Sequence, residues 1–84
     1  MSMVAAQTER IRDIVLELLE LEDADVTPTS LFREDHGVDS LSLIEVQAAL
    51  EQEFRLVIDN EVAGRMVNLA TVCEVVAETL ADQA

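Results

Sequence analysis

The sequence predicts an all-α fold, a small four-helix bundle of three main helices plus a short third one, with a long loop between helices 1 and 2. Three observations carry that prediction. Apolar residues recur at helical spacing in three separate stretches, opening near Val4, Ser40 and Asn68. The breakers Pro28, Gly37 and Gly64 fall between those stretches and not inside them. The β-branched run Leu56-Val57-Ile58 has no second run to pair with, so no sheet is expected.

The first helix is predicted from about Val4 to Leu21. Val4, Ile11, Val15 and Leu18 share a face with Ile14 beside them, while Glu9, Arg10, Asp13, Glu17 and Glu20 mark the wetter side. From Glu22 to Asp39 periodicity breaks at Asp23, Asp25, Thr27-Pro28 and Gly37, and Pro28 disfavours helix at Thr27. A connection of this length in a small chain is functional or pinned by its own side chains. Val26, Leu31 and Phe32 are the expected pins, with a short helical turn over Thr29–Phe32.

The second helix is predicted over Ser40–Phe54 and carries two apolar stripes. Leu43, Val46, Leu50 and Phe54 form one; Leu41, Ile44 and Ala48, bordered by Glu45, Glu51 and Gln52, form the other. Either both stripes are buried in a tight bundle, or the second is a patch for a partner. Beyond it, Leu56-Val57-Ile58 reads as an extended linker that turns Val57 or Ile58 inward. Asn60 is the expected cap of a short helix from Glu61 to about Met66, weakened by Gly64. The last helix places Leu69, Val72, Cys73, Val76 and Leu80 on one face. Its start is either an Asn68 cap or a Thr71–Glu74 capping box.

Ser40 stands where a glycine-punctuated loop enters a helix. Free backbone N–H groups and aligned peptide dipoles make such a position favourable for an anion, so a serine there can carry a phosphate group. On spacing alone it reads first as a plain cap, worth about 1 kcal/mol, since Ser and Asp are the commonest cap residues. The Ser42-x-x-Glu45 capping box makes Ser40 less necessary in that role.

Composition narrows the function. The 84 residues form a single domain, 1–84, which buries about 60–65% of the surface its unfolded chain exposes. Half the residues are hydrophobic and only Phe32 and Phe54 are aromatic, so the core is aliphatic and able in principle to part for an alkyl chain. A net charge of −13 excludes nucleic acid and anionic membrane surfaces as partners and suits proteins that present basic patches. One cysteine and one histidine provide neither an internal disulfide nor a zinc site, and no other metal site is expected. The acidic pairs lack the spacing and central glycine of a calcium loop. Met1-Ser2-Met3-Val4 has no basic or long apolar character, and a cytoplasmic monomer is expected. His36 lies four residues before Ser40 with no clear orienting group, so catalysis by that pair is not expected.

Phe32-Arg33-Glu34-Asp35-His36-Gly37-Val38-Asp39-Ser40-Leu41, followed by Glu45 and Leu50-Glu51-Gln52-Glu53-Phe54, resembles the acyl carrier proteins of fatty acid and polyketide synthesis. The resemblance runs from about Val4 to about Leu80 and includes the stretch from Val26-Thr27 to Phe32. It implies a non-catalytic carrier. A separate phosphopantetheinyl transferase would esterify Ser40 with 4′-phosphopantetheine from coenzyme A, reading Asp39 and Leu41. The terminal thiol of that arm then holds acyl intermediates as thioesters. Ketosynthase, acyltransferase and other pathway enzymes would dock through basic patches on Leu41, Ile44, Glu45, Ala48 and Glu51. The carriers commonly have leucine where His36 stands, which bears on how the loop before Ser40 is anchored.

Asp59-Asn60-Glu61-Val62-Ala63-Gly64-Arg65 is similar to a stretch in carriers of dissociated, type II polyketide synthases. Fatty acid carriers usually have proline in place of Asp59 and an acid in place of Ser42. The peptidyl or aminoacyl carrier branch, with glycine pairs before its serine, fits less well. A non-carrier acidic interaction module, with Ser40 only a cap, is the alternative from another class.

Overall fold

The computed structural model describes the backbone of residues 2–83 and the side chains of residues 7–82. The expected core position Val4 therefore lies outside the described side chains. The chain order is α1 (Ser2–Leu19), a 3-10 turn (Asp23–Asp25), α2 (Ser40–Phe54), α3 (Asn60–Ala63) and α4 (Leu69–Gln83). No strand occurs among the described residues.

α1 packs against both α2 and α4. Ile11, Val15 and Leu19 of α1, Val46 and Leu50 of α2, and Leu69, Val72, Val75 and Val76 of α4 meet in one core. Val75, absent from the sequence-predicted face, is fully buried, whereas Cys73 and Leu80 are half-buried. No polar or charged side chain is buried among the described residues, so ions stay at the surface and the core side chains meet through apolar contact. Arg10 donates to both carboxylate oxygens of Glu53, at 2.9 and 3.1 Å, and ties α1 to α2 across the surface.

Helices α1 and α2 both stop without glycine. Glu20 takes φ 56° and Arg55 φ 54°, each in the left-handed region. At the first, the Leu21 N–H reaches back to Leu16 O at 3.0 Å and the Glu20 N–H to Glu17 O, a Schellman closure. Leu21, predicted as helical, thus lies past the end of α1 as the apolar residue that folds over it. Leu56 does the same for α2, its N–H on Glu51 O at 3.1 Å and its side chain buried.

The long loop is strapped down at both ends. Phe32 is fully buried and its N–H donates to Val67 O at 2.9 Å, while the Ala70 N–H donates to Pro28 O at 3.0 Å. Thr27 and Ser30 exchange hydroxyl and backbone bonds, closing a turn over residues 27–30. The helical turn expected over Thr29–Phe32 instead runs from Leu31 to Gly37, with the Asp35 N–H on Leu31 O and the Gly37 N–H on Arg33 O. The reason is local. Asp35 accepts from the Leu31 N–H at 2.8 Å, and Gly37, at φ +68°, ends the turn so that the Val38 N–H meets Phe32 O.

α3 is shorter than predicted and begins one residue earlier. Asp59 occupies the cap position without a side-chain bond, its carbonyl accepting from the Ala63 N–H at 2.8 Å, so Asn60 is the first helical residue and not the cap. After Ala63 the chain tightens, with Arg65 N–H on Val62 O and Met66 N–H on Ala63 O. At α4 the Asn68 alternative holds. Asn68 Oδ1 accepts from the Thr71 N–H at 2.8 Å, and Thr71 Oγ1 accepts from the Asn68 N–H at 3.1 Å.

Candidate functional site

Ser40 is the first residue of α2 and is exposed. The cap belongs to Asp39, whose extended backbone (φ −89°, ψ 169°) lets its carboxylate accept from the Ser42 N–H at 2.9 Å. That bond holds the Asp39 carboxyl below the ordinary carboxylate range. Ser42 contributes its N–H to this cap, and the Ser42–Glu45 box does not form. Ser40 is thereby freed from the structural role open to it in the sequence. Its hydroxyl has no hydrogen-bond partner among the described residues.

His36 is turned to another task. Its Nε2 lies 2.9 Å from Ser30 Oγ, bracing the loop from within. The His36–Ser30 contact, with buried Phe32 and Val26, anchors the segment that enters α2. Cys73 sits half-buried on α4, where burial pushes its thiol up from the ordinary value, the opposite of what a nucleophile needs.

The second stripe of α2 is open. Leu41 is 66% and Ile44 59% exposed, and Glu45 and Ala48 are exposed with them. The first stripe goes inward, with Val46 and Leu50 buried and Leu43 and Phe54 half-buried. Glu51 differs from its neighbours: it is half-buried, and its Oε2 accepts from the Ile58 N–H at 2.8 Å. One turn earlier, Gln47 Nε2 donates to Ile58 O at 3.0 Å. Two α2 side chains therefore clamp both backbone groups of Ile58 and set how the linker enters α3, with Ile58 buried and Val57 outward.

Beside the open stripe runs a groove of about 320 Å³ between α2, α3 and the loop. Phe32, Leu43, Val46, Met66 and Val72 supply its apolar lining, and Arg33, Gln47 and Asn60 its polar groups. Ile44 and Val67 also line it, and both side chains are exposed. Its size is at the small end for ligand sites. Sequence reasoning did not single out this groove. The signal was present in part, since Ser40, Ile44, Gln47 and Glu51 follow helical three–four spacing and share one side of α2.

Residues 9–78 match the family described as "Phosphopantetheine attachment site". The chain is 47% identical over 74 residues, 88% of each sequence, to polyketide-8 synthase acyl carrier protein 1 of Streptomyces avermitilis. Among solved structures it is similar to the hexanoyl acyl carrier protein of the actinorhodin polyketide synthase of Streptomyces coelicolor, with a TM-score of 0.69, 28% identity and coverage of 88% of this chain and 90% of that one. The acetyl form of the actinorhodin carrier gives a TM-score of 0.68 at 30% identity, covering 92% of this chain and 93% of that one. An all-α bundle with an exposed serine at the start of α2 and a family match over most of its length lead to one conclusion: the chain belongs to the phosphopantetheine-attachment family, as an acyl carrier protein of the type II polyketide synthase type, carrying acyl groups on covalently attached 4′-phosphopantetheine.

Proposed function

We propose that Ser40 is the residue that bears the phosphopantetheine arm, and that residues 1–84 act as one non-catalytic carrier domain in the cytoplasm. The observation that carries this is the division of labour at the head of α2. Asp39 closes the helix, so the Ser40 hydroxyl is exposed and uncommitted beside first-turn N–H groups that favour a phosphodiester. The arm supplies the thiol chemistry, and the protein supplies position and recognition. Ser40 fixes the origin of the arm on a rigid helix, and His36 Nε2 is engaged with Ser30. Tethering keeps cargo at high local concentration wherever the carrier docks.

Docking is assigned to the exposed Leu41, Ile44 and Ala48 with Glu45 on the rim, and Asp39 and Leu41 are what the phosphopantetheinyl transferase reads. Glu51 contributes to this face mainly by holding the linker to α3. Basic patches on ketosynthase, acyltransferase and other synthase enzymes fit the −13 charge, which speeds encounter more than it tightens the complex. The α2–α3 groove is the shelter for the proximal part of the cargo. Its apolar lining removes methylenes from water at ~0.8 kcal/mol each, before any cost of widening.

Incubation with coenzyme A and a promiscuous phosphopantetheinyl transferase, read by intact mass, tests the attachment site. One added phosphopantetheine is expected, and none on Ser40→Ala. An adduct that survives Ser40→Ala would place the arm elsewhere.

A further inference from the structure

We propose that Gln47 and Arg33 make the α2–α3 groove discriminate between cargoes, favouring an acyl chain with a 3-oxo oxygen over a saturated chain of the same length. This rests on the reading of the groove as the cargo shelter. The aliphatic core alone would suggest the reverse, a preference for saturated chains. What changes it is where the polar groups stand.

Gln47 is half-buried, and its amide is oriented by the bond from Nε2 to Ile58 O. A carboxamide has two N–H donors and a carbonyl acceptor. One donor is used, so the second donor and the oxygen remain available in a groove whose other lining is largely apolar. A ligand carbonyl that meets this donor gains a hydrogen bond that a methylene cannot make. Arg33 supplies the second feature. Arg10, Arg12 and Arg65 are each paired with acids, whereas Arg33 and Arg55 have no ion-pair partner among the described residues, and of these two only Arg33 lines the groove. Its neighbour Asp35 turns Oδ2 to the Leu31 N–H and makes no ion pair with Arg33. The cation thus remains open on the groove lining, suited to a carbonyl or enolate oxygen.

Position agrees with chemistry. Gln47 lies seven residues after Ser40 on the same side of α2, about 10 Å along the axis, so the groove runs alongside the first two turns above the attachment point. A chain leaving the arm here is flanked by apolar groups from Leu43 and Met66 and by donors from Gln47 and Arg33.

The test loads the full-length protein with hexanoyl and 3-oxohexanoyl groups as amide-linked pantetheine analogues, and reads backbone amide shifts and melting temperature. Both chains are expected to move the amides of Ile44, Ala63, Gly64 and Val67, with the larger shifts and the higher melting temperature for the 3-oxo chain. Gln47→Met and Arg33→Ala should each reduce or abolish that difference while the hexanoyl response persists. The Arg33 side chain is exposed and makes no hydrogen bond or ion pair among the described residues, so Arg33→Ala keeps the test decisive if Gln47→Met loosens the linker. Equal responses to the two chains, or a preference that survives Arg33→Ala and Gln47→Met alike, would overturn the selectivity and leave the shelter reading standing. If neither chain moves the groove amides, the shelter reading itself fails.

Discussion

At the head of α2 one side chain closes the helix and the next is left exposed. Asp39 accepts the Ser42 N–H, and its carboxyl is held below the usual range by that bond. A carboxyl whose folded-state pKa is lowered stabilises the fold fully above its unfolded pKa of about 3.9, and that contribution is lost as pH falls through the lower folded value. Asparagine caps about as well as aspartate but does not titrate. The melting temperature of Asp39→Asn should therefore track the wild type near pH 7, and the gap between them should change only as pH drops below about 4. Asp39→Ala should melt lower at neutral pH. Melting curves of the three proteins from pH 7 to 3 check this; a wild type–asparagine gap already changing above pH 5 would assign the titration elsewhere. Ser40 gains chemical freedom from the same arrangement, because the N–H it might have answered is already satisfied.

Helix α2 shows how far the sequence could be read at the level of elements. Its range, Ser40–Phe54, was legible because loop and capping signals bracket a periodic run. Spacing gave the two stripes but left open whether the second is buried; the exposure of Leu41 and Ile44 decides it, and the family motif pointed to Ser40. The stops were harder to read. Glu20 and Arg55 adopt left-handed backbone that glycine would normally signal, at a cost of about 1–2 kcal/mol that Leu21 and Leu56 help to offset by packing back. The polar clamp was not legible at all, since nothing local in Gln47 or Glu51 announces a partner at Ile58. On spacing alone Glu45 and Glu51 look interchangeable as rim charges, and the structure separates them. Glu45→Lys should leave stability within about ±0.5 kcal/mol and slow association with a ketosynthase or transferase, chiefly at low salt. Glu51→Ala removes the acceptor of the Ile58 N–H and should cost about 1–2 kcal/mol. Urea denaturation beside stopped-flow association checks the pair; equal stability losses would mean that Ile58 is not held in the way described.

For the molecule as a whole, charge sets a condition that no single contact reveals. Eighteen acids against five arginines are confined to a body of 34 × 28 × 18 Å with a radius of gyration of 11.9 Å. The unfolded chain of this length would have a radius of roughly 28 Å, so folding brings like charges two- to threefold closer. Two unit charges 10 Å apart in water repel by about 0.4 kcal/mol, and the excess acids make many such pairs. Against this stand the ion pairs Arg10–Glu53, Arg12–Asp23 and Arg65 with Glu74 and Glu78. All are exposed, and exposed pairs contribute little. Salt weakens both terms, but the repulsion is the larger and the longer in range, and the screening length falls from about 30 Å at 0.01 M to about 3 Å at 1 M. The melting temperature should therefore rise with sodium chloride over that range, while association with a basic partner enzyme slows. Thermal melts and association rates measured in the same salt series test both halves at once. A melting temperature that falls with salt would mean that the arginine pairs outweigh the repulsion, and that the acidic surface costs the fold nothing in return for steering its partners.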